Sequence, residues 1–364
     1  MSLQKNEGIQ AVRKRTSRYL GRKFSAWVGG VLGSIIGFFG TPGKKAEDVQ
    51  SDETEEFNEL QEFPMRCIVF SDTDNDVHAV RNTLYFAGII NEKGEFIDSS
   101  EGVAIYHTGD YVDKKKPDLS IVRYWQRLQQ DARNRGCNVK LIAGNHEQEI
   151  WRRIRAGEDY GMGVRQTREL SDFIESLDLF HVAGPVLFIH GYPTLEFLQT
   201  LLHFKQVTGR DLNSFNDDHY RRSFVSVSGM RQYAYVKESR RKNHLLYDVA
   251  DADRYYQKRG QLVGAILEDL AIDVVVHGHK PQRSGVQKDY ECAEWMPNIR
   301  MIGNDTNVSR KGIGATVIRV TSRGAVDMEF INTRTESDEL RTKVRGILGE
   351  RFESDAEELN VDAH

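Results

Sequence analysis

From Arg66 onward, short apolar runs alternate with longer segments in which apolar residues recur every three or four positions. The run Arg66–Ser71 reads as a strand, and Asp76–Ala87 as a helix opened by acidic capping residues. Val103–Thr108 is a second strand. Leu119–Arg135 carries a helical stripe that stops at Gly136, and Val139–Ala143 is a third strand. Helices are predicted over Glu147–Arg155, Arg165–Leu179, Thr194–Gln206 and Leu262–Leu270, with strands over Val186–His190 and Asp273–His277. Ile299–Ile302, Thr316–Val320 and Ala325–Ile331 are three further strands, close enough together to form hairpins on a second sheet. Strands and helices alternating at this spacing predict an α/β chain with a largely parallel, helix-covered sheet. From Glu336 the chain is charged and helical, with Ile347 and Leu348 as its main apolar anchors.

Upstream the pattern breaks. Residues 13–23 ("RKRTSRYLGRK") are basic, and residues 25–40 ("SAWVGGVLGSIIGFFG") are apolar and glycine-rich. That run is shorter than the ~20 residues needed to span a bilayer. It starts late for a signal peptide, and no A-x-A site follows it. Gly29, Gly33 and Gly37 would line one helix face with small residues. Two readings stand side by side: a membrane-surface or helix-pairing segment over 13–40, or an arm docked on the globular part. Residues 46–62 are acidic and poor in large apolar groups, as linkers are. The expected organisation is an N-terminal segment and linker (1–62), a main domain (63–332) with an insertion around 207–260, and a charged helical tail (333–364).

Composition narrows the field. With 50 Lys and Arg against 54 Asp and Glu, the net charge of −4 gives no reason to expect a nucleic-acid partner. The three cysteines, Cys67, Cys137 and Cys292, are odd in number and form no C-x-x-C pair. Reduced thiols in a cytoplasmic, reducing compartment are expected.

The chemistry sits where strands end. Asp72 and Asp74 follow the first strand in "FSDTDND", Asp110 and Asp113 follow the second in "GDYVD", and Asn145, His146 and Glu147 follow the third in "GNHE". His190 ends the fourth in "HGYP", and His277 and His279 end the next in "HGHKPQ". A lone aspartate at a strand end is usually a cap, and a lone histidine on an apolar strand is usually a satisfied core residue. Five successive strands delivering Asp, Asn or His to the ligand-binding edge of an α/β sheet is not what turn chemistry predicts.

In this order the motifs resemble those of the calcineurin-like metallophosphoesterases, and "GDYVD" with "GNHE" is most similar to the phosphoprotein phosphatase (PPP) branch. The likeness covers residues 66–332. Such a domain behind a glycine-rich segment also resembles the Wip phosphatase effectors of Legionella, which implies a bacterial effector delivered into a host cell and associated with membrane. The resemblance implies a sandwich of two sheets flanked by helices and a phosphoprotein phosphatase acting by in-line attack of a metal-bridging hydroxide. It implies two divalent ions, with Mn2+ expected and Fe or Zn as alternatives. Asp72 and the residue at position 74 would hold the first ion, Asp110 would bridge, and Asn145, His190 and His279 would hold the second. His146 would protonate the leaving group, oriented by Asp113.

Two departures stand out. The family has His where this chain has Asp74, which adds a carboxylate to the first site; His78, one helical turn on, is the alternative ligand, though a surface role suits it better. The family has Arg after Asp113, where this chain has Lys114, a point charge rather than a bidentate fork. Arg254 is the expected second phosphate-binding residue, with Arg221, Arg222 and Arg231 as alternatives. The Tyr- and Arg-rich stretch from 211 to 259 reads as a cap beside the metals. Two other functions remain open: a small-molecule or dinucleotide phosphohydrolase, and a pseudophosphatase that only binds.

Overall fold

The computed structural model describes residues 65–97, 102–158, 160–217, 249–279, 296, 298–305, 313–320, 326–332 and 337–349. The N-terminal basic and apolar segment, the acidic linker and most of the 207–260 insertion lie outside these residues.

In chain order the elements are β1 (Met65–Phe70), α1 (Val77–Phe86), β2 (Val103–His107), α2 (Leu119–Asn134), β3 (Asn138–Leu141), α3 (Asn145–Arg155), α4 (Val164–Ser176), β4 (Phe180–Ala183), β5 (Val186–Ile189), α5 (Leu195–Thr208), α6 (Val249–Asp269), β6 (Val274–His277), β7 (Arg300–Gly303), β8 (Ile313–Val320), β9 (Val326–Asn332) and α7 (Asp338–Leu348). They build two sheets, ordered β3-β2-β1-β8-β9 and β4-β5-β6-β7. In the first, β1, β2 and β3 run parallel, and β8 and β9 are antiparallel additions. In the second, β5, β6 and β7 run parallel and β4 is antiparallel.

Period-two alternation sorts each strand between two cores. Met65, Cys67 and Val69 of β1 meet Val186 and Phe188 of β5 and Val274 and Val276 of β6 in a core between the sheets. Tyr106 stacks on Phe188 across that gap with centroids 3.8 Å apart. Ile68 and Phe70 point the other way, into a core roofed by α1, α2, α4 and α7. Leu187 and Ile189 of β5 face a third core with α5 and α6. The result is the expected two-sheet sandwich flanked by helices.

Three details differ from the sequence reading. The β8–β9 hairpin joins the first sheet beside β1, and only β7 joins the second. Strand β4 was not expected, and the α4 helix stops at Ser176 rather than Leu179, where Asp178 N–H donates to Leu141 O (3.0 Å). Finally, α7 is built into the domain: Val344 and Leu348 are fully buried, and the Arg66 guanidinium donates to Leu348 O (2.8 Å).

The sandwich matters for function because β1, β2 and β3 of one sheet and β5 and β6 of the other present their carboxyl ends to one shared edge. Gly278 N–H, just past β6, donates to His190 O, just past β5 (3.0 Å).

Candidate metal centre

The loop after β1 lies alongside the loop after β2. Asp72 N–H donates to Gly109 O (2.9 Å), Asp74 N–H to Asp110 O (3.3 Å) and Asn75 N–H to Tyr111 O (2.8 Å). This pairing draws three acidic side chains together, and it needs unusual backbone. Asp72 (φ 51°), Asp74 (43°), Asn75 (73°), Asp110 (61°) and His279 (71°) are all left-handed; among the described residues Ala271 is the one other non-glycine with positive φ. Each such residue costs about 1–3 kcal/mol, and such strain clusters at functional sites. The glycine of "GNHE" has a matching steric reason: a Cβ on Gly144 would collide with Asp110 Oδ1.

Glu147 clamps the two central loops. Its Oε2 accepts from Gly144 N–H (2.8 Å) and Asp110 N–H (2.9 Å), and its Oε1 from Tyr111 N–H (2.9 Å) and Val112 N–H (3.3 Å). Burial, then the Asp110 charge, push its pKa up to about 7, against the amide donors that hold it ionised. Buried His107 supports the same loops. Gly109 N–H donates to its Nδ1 (3.1 Å), so Nε2 carries the proton facing Thr73 Oγ1 (3.0 Å). Asn75 Oδ1 accepts from Asp113 N–H (3.2 Å) and Asp118 N–H (3.1 Å). His107 and Asn75 were not picked out from the sequence, and Glu147 was named there only as part of "GNHE", without this role. The one available signal was a Glu at the third position of a helix opened by Gly144, beside a loop rich in amide donors.

Ligand atoms of Asp110, His190 and His279 lie within 4.8 Å of one another. His190 Nδ1 is 2.7 Å from Thr108 O and must be the protonated nitrogen there. Burial above all holds the ring's pKa down, so it is neutral and Nε2 is a bare lone pair. That lone pair faces Asn145 Oδ1 at 2.9 Å, His279 Nδ1 at 3.2 Å and Asp110 Oδ1 at 3.4 Å. The oxygens of Asn145 and Asp110 are acceptors facing an acceptor, an arrangement that a cation satisfies, and the backbone carbonyl behind His190 is the usual support of a metal-ligating imidazole. Burial, then Asp72, drives the Asp110 pKa up to about 8. Asp72 is likewise raised, mainly by burial; its Oδ2 accepts from His279 N–H (2.9 Å) and from the Ser71 hydroxyl. Buried oxygens and neutral imidazoles suit a divalent ion of the Mn, Fe or Zn type. The residues present therefore fit the metals that the resemblance implies.

His146 N–H donates to Asp110 Oδ1 (2.8 Å). Its Nδ1 is 2.9 Å from Val112 O and 3.2 Å from Asp74 Oδ1, and its Nε2 is 3.4 Å from Asp110 Oδ2. Burial pulls its pKa down, but the Asp74 contact and the Asp110 charge outweigh this and lift it to about 10.

Other expected residues fall elsewhere. Asp113 Oδ1 accepts from Lys115 N–H (2.7 Å) and Lys116 N–H (3.0 Å); burial raises its pKa, but these amides and then the His146 charge outweigh it and lower it. Asp76, not Asp74, caps α1, accepting from Ala79 N–H (2.9 Å). His78 is exposed on that helix. Lys114 is half-buried, and its charge adds to the fields that hold down the pKa of His279, after burial and the neighbouring histidines. Arg254 is exposed on α6, with no hydrogen bond to the site among the described residues; its neighbours Tyr255 and Arg259 bind Glu196 at the start of α5. Arg221, Arg222 and Arg231 lie outside the described residues.

Residues 65–283 match the family model described as calcineurin-like phosphoesterase. Similar solved structures include a cold-active protein-tyrosine phosphatase of a psychrophile Shewanella sp. (18% identity, TM-score 0.46, covering 74% of this chain and 80% of that one). Another is a protein serine/threonine phosphatase from Saccharomyces cerevisiae with similarity to human phosphatase PP5 (16%, 0.45, 77% and 83%). A third is a dimetal phosphatase from Danio rerio (10%, 0.28, 74% and 99%). No curated protein matches the chain.

Proposed function

Because this chain belongs to the calcineurin-like phosphoesterase family, whose members hydrolyse phosphoesters with divalent metals, we propose that it is a phosphoprotein phosphatase working with two such ions, Mn2+ first among the candidates. The observation that carries this reading is the convergence of the unprotonated His190 Nε2, His279 Nδ1, Asn145 Oδ1 and Asp110 Oδ1 on one point at the shared edge of both sheets. Asp72, Asp110, Asn145, His190 and His279 would hold the ions, which when bound supply an activated water and neutralise charge on the phosphoryl group.

The remaining work falls to the chain's own residues. His146 presents Nε2 toward Asp110 and donates a proton to the departing oxygen. Lys114, half-buried at the rim, draws the phosphate dianion in as a point charge, which orients it less tightly than a guanidinium fork. Glu147 holds the two loops in register. The free thiols of Cys67 and Cys137 are buried, as a reducing cytoplasmic setting allows. The same reading gives residues 13–40 a membrane-surface role.

The test is metal analysis of the purified chain, followed by hydrolysis of phosphoserine, phosphothreonine and phosphotyrosine peptides against nucleotides and dinucleotides in Mn2+. Two ions per chain and a preference for phosphopeptides are expected. Preference for dinucleotides would replace this reading with a small-molecule hydrolase, and metal-free binding of phosphopeptides without turnover would replace it with a pseudophosphatase.

A further inference from the structure

We infer that Asn304, just past β7, is a positioning residue that sets the spacing between Asp72 and His279, and so between the two ions; its part in the ions' spacing rests on the two-ion reading above. The side chain of Asn304 leaves its own sheet. Its Nδ2 donates to Val69 O of β1 (3.1 Å), and its Oδ1 accepts from the hydroxyl of Thr316 on β8. Its backbone N–H donates to His277 O at the end of β6 (2.6 Å). One fully buried residue therefore ties β1 and β8 of the first sheet to β6 of the second. Val69 carries the chain into Asp72, and His277 carries it into His279. These two ligands come from different sheets, so their separation follows the seam where the sheets meet.

The contact calls for a carboxamide. Val69 O can only accept and the Thr316 hydroxyl donates, so the side chain between them must donate at one end and accept at the other. An asparagine at a strand end ordinarily bonds its own neighbouring backbone, whereas these partners lie 235 and 12 residues away. The apolar core that includes Val69, Ile302 and Ile318 holds the sheets face to face, but hydrophobic contact has no direction and leaves their register soft. Across the same seam, the bonds from His190 Nδ1 to Thr108 O and from His279 N–H to Asp72 Oδ2 are made by the ligands themselves. Asn304 holds the seam without being a ligand. The fit there has little slack: a Cβ on Gly278 would collide with Ser71 Oγ and stand 3.0 Å from Asp72 Oδ2.

The test uses Asn304→Leu and the milder Thr316→Val in the full chain. Ile318→Val, in the core between the sheets, controls for lost stability alone. In Mn2+ titrations the affinity of the weaker ion should fall about 10-fold in Asn304→Leu, the size expected when a buried carbonyl loses its donor. The electron paramagnetic resonance signature of a coupled Mn2+ pair should change with it, and Ile318→Val should keep both properties. Adding Thr316→Val to Asn304→Leu should cost nothing further, because the two side chains act as one contact. Parent-like affinity and coupling in Asn304→Leu, the same change in Ile318→Val, or an additive double variant would overturn the assignment. Should Asn304→Leu not fold, Thr316→Val carries the test alone, a shift in the same direction supporting the role and none refuting it. A second readout needs no metal: in the metal-stripped chain the His279 amide hydrogen, bonded to Asp72, should exchange faster in both variants and at the parent rate in Ile318→Val. A parent that binds fewer than two ions would sink the functional reading. The His279 amide would then support the positioning role by exchanging faster in the variants, or refute it by exchanging at the parent rate.

Discussion

Replacing Glu147 with Gln removes one of two oxygens that each take two backbone N–H groups. The change is nearly isosteric, so no cavity confuses the result. The introduced NH2 points at two donors, most readily those of Tyr111 (2.9 Å) and Val112 (3.3 Å), the longer pair. Hydrogen bonds to a charged group are worth about 1.5–3 kcal/mol each, so losing two costs about 3–6 kcal/mol. That is a large part of the typical 5–15 kcal/mol of net stability. At a denaturant slope of about 3 kcal/mol/M the urea midpoint should drop by about 1–2 M. The two loops carry Asp110 and Asn145, so metal affinity should weaken in the folded fraction too. A midpoint within about 0.2 M of the parent, with unchanged metal affinity, would refute the idea that this carboxylate holds the loops together.

Asp110→Asn should abolish hydrolysis and lower metal occupancy while the far-ultraviolet circular dichroism is unchanged; normal turnover with full occupancy would remove Asp110 from the centre. Deleting residues 1–45 should leave metal content and turnover intact and reduce binding to anionic liposomes, whereas unchanged liposome binding would refute the membrane role. Stability should also decline in mild acid. Burial, then Lys140, lower the His181 pKa to about 3, so from the unfolded value near 6.5 downward the unfolded chain takes up a proton that the folded one refuses. This contribution is complete above pH ~6.5 and is lost at about 1.4 kcal/mol per unit as pH falls toward 3; His181→Phe should flatten the midpoint-versus-pH curve between pH 7 and 5, and an unchanged slope would refute it.

The strands and the residues at their ends were legible because the signals were local. An apolar run such as Cys67-Ile68-Val69-Phe70 followed by acids marks both a strand and its functional edge. What escaped was decided across space. Strand β4 is four residues long and, among the described residues, pairs only with β5. The first half of α6, residues 249–261, is polar enough to hide its helical period, and its buried Tyr256 is anchored by donating to Pro193 O (2.9 Å). The sheet joined by β8 depends on antiparallel pairing with β1, which no local pattern encodes. Within the site, motif positions named Asp113 but could not show that its Oδ1 is taken by the amides of Lys115 and Lys116, two and three residues on.

The sandwich also sets a timetable. Asp72 accepts the amide of His279, a contact spanning 207 residues. Ribosomes add about 5–20 residues per second, so the acidic loop emerges about 10–40 s before the last imidazole exists. Through that interval Asp72, Asp74 and Asp110 stand clustered in sequence order with nothing from the second sheet to oppose them, and water must carry their charge. The centre is therefore a late acquisition of the nascent chain, closed only when β6 has docked beside β5 and brought Gly278 and His279 to the edge.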